Sequence, residues 1–205
     1  NPCNDEYQDE IIIRTARINT VGLSTNAVTL CKTEGNYNIT GSAAIDSNNI
    51  LWESSGTGLF TDNTDLNTGY SPSQADKDAG TVTLTLKGLS SDPPCDPLNF
   101  PSETLRIDFE DPPTANFVNS EVDLCVGAAY TINDLTASYN TISWQKIGGS
   151  GLVLNATTNQ PTYQSDNNDI GQVLLVGTLT GDLVCNSITI TKTINIVQKL
   201  ESIDL

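Results

Sequence analysis

Two stretches of the chain alternate apolar and polar residues over most of their length: TVTLTLK at residues 81–87 and ITITKTINIV at residues 188–197. A period of two, written in β-branched residues, marks a strand with one face buried. Shorter runs of strand character surround them: VTLC (28–31), YNIT (37–40), ILWES (50–54), VDLC (122–125), YTIN (130–133) and TISWQK (141–146). Gly, Asn, Asp, Ser and Pro gather between the runs, where turns need them. No stretch carries a convincing 3.6-residue apolar period. The pattern predicts an all-β chain.

The runs come twice. Cys31 and Cys125 are 94 residues apart, Trp52 and Trp144 are 92 apart, and Tyr70 and Tyr163 are 93 apart. Cys3, Cys95 and Cys185 follow one another at 92 and 90. In both copies the Tyr lies twelve residues after a Gly (Gly58, Gly151) and six before an Asp (Asp76, Asp169). Self-similarity at one period is the mark of tandem units. Short strands in units of this size argue for one β-sandwich per unit. The expected organisation is a terminal strand of a preceding repeat at 1–17, a first β-sandwich at 18–111 and a second at 112–205, joined end to end. Pro112 and Pro113 stiffen the junction.

Charge narrows the partners. Asp and Glu number 25 against 9 Lys and Arg, a formal net charge of −16. Such a chain repels nucleic acid and anionic membrane surfaces. No run of 18 apolar residues is present, so no helical membrane insertion is expected. There is no His, which removes the commonest general base and metal ligand together. No nucleophile elbow, zinc-protease or phosphate-loop motif occurs, and the adjacent acids are ordinary for so acidic a sequence. The chain is expected not to be an enzyme.

Five cysteines without paired CxxC spacing suggest disulfides and an oxidising compartment. The repeat offers Cys31 with Cys95 and Cys125 with Cys185, leaving Cys3 for a partner upstream. Each bond would close a loop of about 60–65 residues, worth at most ~4 kcal/mol by chain entropy. The alternative is five free thiols.

Residues 51–88, LWESSGTGLFTDNTDLNTGYSPSQADKDAGTVTLTLKG, resemble the Ig-like or PKD-like tandem repeats of very large Bacteroidota surface proteins. The nearest resemblance is to gliding-motility adhesins of the SprB type, exported by the type IX secretion system. The second repeat departs from the pattern: KIGGSGLVL stands for SSGTGLF, and YQSDNNDIG lacks the Pro. The resemblance implies an extracellular bacterial cell-surface filament or stalk. It supplies no catalytic residue and no cofactor.

Calcium is the one metal the residues suggest, because hard oxygen ligands suit it. Asp62 and Asp65 lie in TDNTDLN, Asp76 and Asp78 in ADKDAG, and Asp166 and Asp169 in SDNNDIG. Glu110 and Asp111 offer a second location. None fits a 12-residue calcium loop, and the same residues serve turns as backbone caps. Trp52, Trp144, Tyr70 and Tyr163 recur at equivalent places, as core aromatics do; Tyr139 and Phe100 fall outside the pattern. The expected function is a structural stalk or spacer segment of a long surface adhesin. Its partners are neighbouring repeats of the same chain. The alternative is a module that binds surface polysaccharide or another surface protein.

Overall fold

The computed structural model describes residues 10–11, 19–47, 49–89, 100–182 and 184–198. Cys3, Cys95 and nearly all of the expected terminal strand at 1–17 lie outside the described residues. The regular elements among the described residues are strands apart from one six-residue helix, as the alternating pattern requires.

The strands of the described residues fall into two sets of nine. The first holds β1 (Thr20–Gly22), β2 (Ala27–Cys31), β3 (Tyr37–Asn38), β4 (Ala43–Ile45), β5 (Asn49–Ser54), β6 (Leu59–Phe60), β7 (Gly69–Ser71), β8 (Thr81–Leu89) and β9 (Ser102–Glu110). The second holds β10 (Thr114–Phe117), β11 (Glu121–Cys125), β12 (Ala129–Thr131), β13 (Leu135–Ser138), β14 (Thr141–Ile147), β15 (Leu152–Leu154), β16 (Thr162–Gln164), β17 (Gly171–Thr180) and β18 (Ile188–Val197).

Each set builds the same three sheets. The first has orders β2-β9-β8-β5, β3-β7-β6 and β1-β4; the second has β11-β18-β17-β14, β12-β16-β15 and β10-β13. In the second set the four-stranded sheet is antiparallel except where β11 runs parallel to β18. Backbone contacts divide the chain into two compact units, residues 1–28 with 35–107, and residues 29–34 with 108–205. The division cuts through β2 and β9, so their last residues group with the second unit.

Period-two patterning sets the cores. Along β8, Val82, Leu84 and Leu86 are buried, and along β9 Leu105, Ile107 and Phe109 are buried. Trp52 stands opposite Leu86 in the β5–β8 ladder and is 1% exposed. Its indole N–H donates to the carbonyl of Asp65 at 3.1 Å, so the ring is buried with its polar atom paired. In the second set Trp144 stands opposite Gly177 and donates to the carbonyl of Thr158 at 2.9 Å. A Cβ on Gly177 would lie 2.8 Å from the Trp144 ring, so the glycine makes room for the indole. Both tryptophans are core residues. Each fully buried large apolar side chain contributes about 1.5–3 kcal/mol.

One helix interrupts the strands, and the sequence pattern did not foresee it. α1 (Gln74–Ala79) has Ser73 as its N-cap. The Ser73 hydroxyl accepts from the Asp76 N–H at 3.1 Å, and the Asp76 carboxylate accepts from the Ser73 N–H at 3.0 Å. That reciprocal pair is a capping box. Gly80 ends the helix at φ 78°. Six residues are too few to show apolar periodicity, but the caps were legible in SQADKDAG.

The disulfide also differs from the expected pairing. Cys31 is bonded to Cys185, with Cα atoms 5.0 Å apart, and not to Cys95. Cys125, expected to pair with Cys185, is a free, exposed thiol. The physical reason is the Glu110 carbonyl. It accepts the N–H of Lys32, next to Cys31, at 2.9 Å, and the Cys185 sulfur lies 3.6 Å from it. Both cysteines are therefore held beside the last residue of β9.

Candidate functional site

The most constructed polar feature is a buried carboxylate, and it occurs twice. In the first unit Asp76 is 3% exposed. Its Oδ1 accepts the Thr57 N–H at 2.8 Å. Its Oδ2 accepts the Gly58 N–H at 2.9 Å, the Ser73 N–H at 3.0 Å and the Tyr70 hydroxyl at 2.7 Å. One side chain thereby ties the β5–β6 turn, β7 and the start of α1 together. The Tyr70 hydroxyl also meets the Ser54 hydroxyl at 2.8 Å.

In the second unit Asp169 is 2% exposed. Its Oδ1 accepts the Ser150 N–H, the Ser150 hydroxyl at 2.8 Å and the Gly151 N–H at 3.3 Å. Its Oδ2 accepts the Asp166 N–H at 2.9 Å and the Tyr163 hydroxyl at 2.5 Å. No helix forms in SDNND, yet Asp166 offers its N–H where Ser73 does in the first unit. The spacing of Gly, Tyr and Asp shared by the two copies is the sequence trace of this hub.

The electrostatics follow from the donors. Burial works to raise the Asp76 and Asp169 pKa values, but the hydrogen bonds outweigh it and hold both below the ordinary 3.8. For Asp76 these come chiefly from the Thr57 N–H, Tyr70 and Ser73; for Asp169, from Tyr163 and the Ser150 and Asp166 N–H groups. Burial, reinforced by the neighbouring carboxylate, pushes Tyr70 up to about 12 and raises Tyr163 as well. An ionised carboxylate and a neutral phenol are locked together at neutral pH.

One glycine closes each hub. A Cβ on Gly58 would stand 2.5 Å from the Tyr70 hydroxyl, and one on Gly151 would stand 2.6 Å from that of Tyr163. These are the glycines twelve residues before each tyrosine.

The second unit holds another buried charge. Lys192, on β18, is 1% exposed. Its ammonium is 2.8 Å from Asp134 Oδ2, donates to the Asn119 carbonyl, and lies over the Phe117 and Tyr130 rings at 5.0 and 5.6 Å. Burial works to lower the Lys192 pKa, but Asp134 and Tyr130 outweigh it and raise it. Burial works the other way on Asp134, and Lys192 with the Asn119 N–H holds it below the ordinary value. Leu105, 1% exposed, fills the corresponding buried position of β9, ahead of Ile107 and Phe109 as Lys192 is ahead of Ile194 and Ile196. Sequence reasoning missed Lys192; its trace is one cation among the inward positions of an alternating strand.

The Asp carboxylates considered for calcium accept protein donors. Asp76 and Asp169 are filled by N–H and O–H donors. Asp62 accepts from the Thr64 N–H and hydroxyl, Asp65 from the Asn67 N–H, and Asp166 from the Asn168 N–H. These are turn caps. Asp78 accepts from the Gln74 side chain, and Asp111 pairs with Lys32 at 2.8 Å. Among the described residues no three His, Cys, Asp or Glu side chains gather as a metal site. An open hollow of about 480 Å³ borders Glu110, Asp111, Pro112, Tyr139 and Asp182.

No protein-family model and no curated protein sequence matches the chain. Solved structures do match its fold. Mouse protocadherin-24 EC1–3 superposes with a TM-score of 0.50 at 13% identity, over 86% of this chain and 63% of that one. The chain has an immunoglobulin-like β-sandwich fold, written twice. Similar Ig-like or cadherin-like folds occur in mouse cadherin-23 EC22–24 (TM-score 0.49, 12% identity, 88% of this chain, 66% of that one). The D00–D0 domain of intimin is another (0.46, 11%, 86% and 99%). The chain spans about two thirds of the length of the cadherin-type fragments. At such identities the likeness concerns the Ig-like fold alone. No helix among the described residues of these Ig-like units is long and apolar enough to cross a membrane.

Proposed function

We propose that the chain is a structural repeat segment, a stalk or spacer, of a long extracellular bacterial surface adhesin of the gliding-motility type. The observation that carries this reading is the duplicated Tyr–Asp hub. In both units the buried carboxylate of the hub is spent on holding loops to the sandwich. A part whose work is to persist is built in that way. The Cys31–Cys185 bond fits an oxidising compartment outside the cytoplasm. A net charge of −16 keeps such a segment soluble and away from nucleic acid. Its partners are neighbouring repeats of the same chain.

One observation favours a binding module instead. Leu59 and Leu152 stand at the same place in the two sets, opposite Ser71 and Gln164, on strands β6 and β15 at the ends of their sheets. They are 74% and 64% exposed. A side chain kept apolar and exposed in both copies suits contact with a surface polysaccharide or protein.

Antibodies raised against this chain decide the location: labelling of intact, unpermeabilised cells is expected, and labelling only after permeabilisation would reject a surface role. A glycan array separates the two readings. The spacer reading expects no strong hit; a hit lost on Leu59→Ser and Leu152→Ser replacement would establish the binding module.

A further inference from the structure

Cys31 and Cys125 occupy the same structural position. Each is the last residue of the strand beside the last strand of its four-stranded sheet, β2 next to β9 and β11 next to β18. The residue after each donates its N–H to the final carbonyl of that neighbour: Lys32 to Glu110 at 2.9 Å, and Val126 to Val197 at 3.0 Å. Each then begins the same turn, with Glu34 N–H bonded to the Cys31 carbonyl at 2.8 Å and Ala128 N–H to the Cys125 carbonyl at 3.0 Å. The backbone makes no distinction between the two sites.

Their sulfurs differ. Cys31 is 2% exposed and bonded to Cys185, which sits in the β17–β18 connection of the second set. Cys125 is exposed and free. The partner of a cysteine at this position is therefore not the second cysteine of its own set of strands but that of the set that follows. Cys185 is already committed to Cys31, so nothing within the second set is left for Cys125.

We propose that Cys125 is a covalent attachment point, taking the Cys185 counterpart of a further unit of the same kind. Repeated along a chain, the bond makes a ladder in which each unit's first cysteine is joined to the next unit's second. Two thiols lose two protons and two electrons to form it, and the oxidant is the thiol-oxidising machinery that makes Cys31–Cys185. An exposed thiol at a strand end otherwise invites uncontrolled oxidation outside the cytoplasm. The proposal rests on the array reading above.

Trypsin cuts after Arg17, Lys32, Lys87, Arg106, Lys146 and Lys192, so peptides 18–32, 88–106, 107–146 and 147–192 carry Cys31, Cys95, Cys125 and Cys185 separately. The full-length protein is taken from its own cells with iodoacetamide present and digested without reductant. The expected result is 18–32 joined to 147–192, and 107–146 joined to a cysteine peptide of the same protein from outside residues 1–205. Alkylated Cys125, a 107–146 homodimer, a link to another protein, or 107–146 joined to 147–192 would each overturn the ladder. Surface labelling with any of those results leaves the spacer reading standing; absence of surface labelling removes that reading whatever the peptides show.

Discussion

The Tyr70 hydroxyl lies 2.7 Å from Asp76 Oδ2, six residues along the chain, and Tyr163 makes the same bond to Asp169 at 2.5 Å. In each unit the tyrosine is fully buried, and the carboxylate it meets also receives backbone N–H groups from two other segments. Loss of the carboxylate leaves those donors without partners in a site closed to water.

Asp76→Ala and Asp169→Ala are each expected to destabilise their unit by about 3 kcal/mol, since buried donors left unpaired cost ~1–3 kcal/mol apiece. Tyr70→Phe and Tyr163→Phe, which remove one bond, should cost about 1 kcal/mol. Urea unfolding followed by tryptophan fluorescence measures this. Alanine variants as stable as the parent would show that the hub does not hold the units together.

The same groups set the pH range. Asp76 and Asp169 have folded pKa values below 3.8, so their contribution is complete above about pH 4 and is lost as the pH falls through the folded values. Tyr70, raised from 10.0 to about 12, works in reverse. Its contribution is complete below pH 10 and lost as the pH rises toward 12. Melting temperature should therefore be level between about pH 5 and 9 and fall on both sides. A Tyr70→Phe, Tyr163→Phe double variant should lose much of the alkaline fall. An unchanged alkaline limb would place its cause elsewhere.

Gly58→Ala and Gly151→Ala should each cost about 1–3 kcal/mol, because the new methyl group meets a buried tyrosine hydroxyl. Gly35→Ala is the control: a Cβ there meets nothing within 4 Å. Equal midpoints for all three would contradict the closeness of the turn to the hub.

Asp134→Ala should destabilise the second unit by about 3–5 kcal/mol, since it strands a buried ammonium. Adding Lys192→Leu should recover most of the loss, because Leu105 already serves the corresponding position in the first unit. A double variant no better than Asp134→Ala would mean that Lys192 holds the loop through the Asn119 carbonyl alone.

Melting in millimolar calcium and in chelator should coincide, because the hub oxygens already accept N–H and O–H groups. A rise with calcium would reveal an ion bound to the native state.

Strand character and the duplication were legible in the sequence because both are periodic. Alternation along TVTLTLK shows which face is buried, and the Cys, Trp and Tyr intervals show the repeat. The hub was half legible: Gly58, Tyr70 and Asp76 stood out by spacing, but the carboxylate also suited calcium, and only the donors around it decide its use. The disulfide was misread because equal spacing within a repeat says nothing about which turns meet at the Glu110 carbonyl. Lys192 escaped notice because alternation sorts positions by face, and one charge on an inward face looks like noise until Asp134 is found beside it.

The Cys31–Cys185 bond has a mechanical consequence. The two residues are 154 apart in sequence. A pull on the two ends of the chain reaches Cys31, crosses to Cys185 through the sulfurs, and leaves by the last strand. The intervening backbone, with both tryptophans and both hubs, is bypassed and cannot be drawn out while the bond holds. Tension then bears on the covalent link and on the ladders of the strands outside it, β1, β2 and β18, while everything between the two cysteines is shielded until a reducing agent opens the bond.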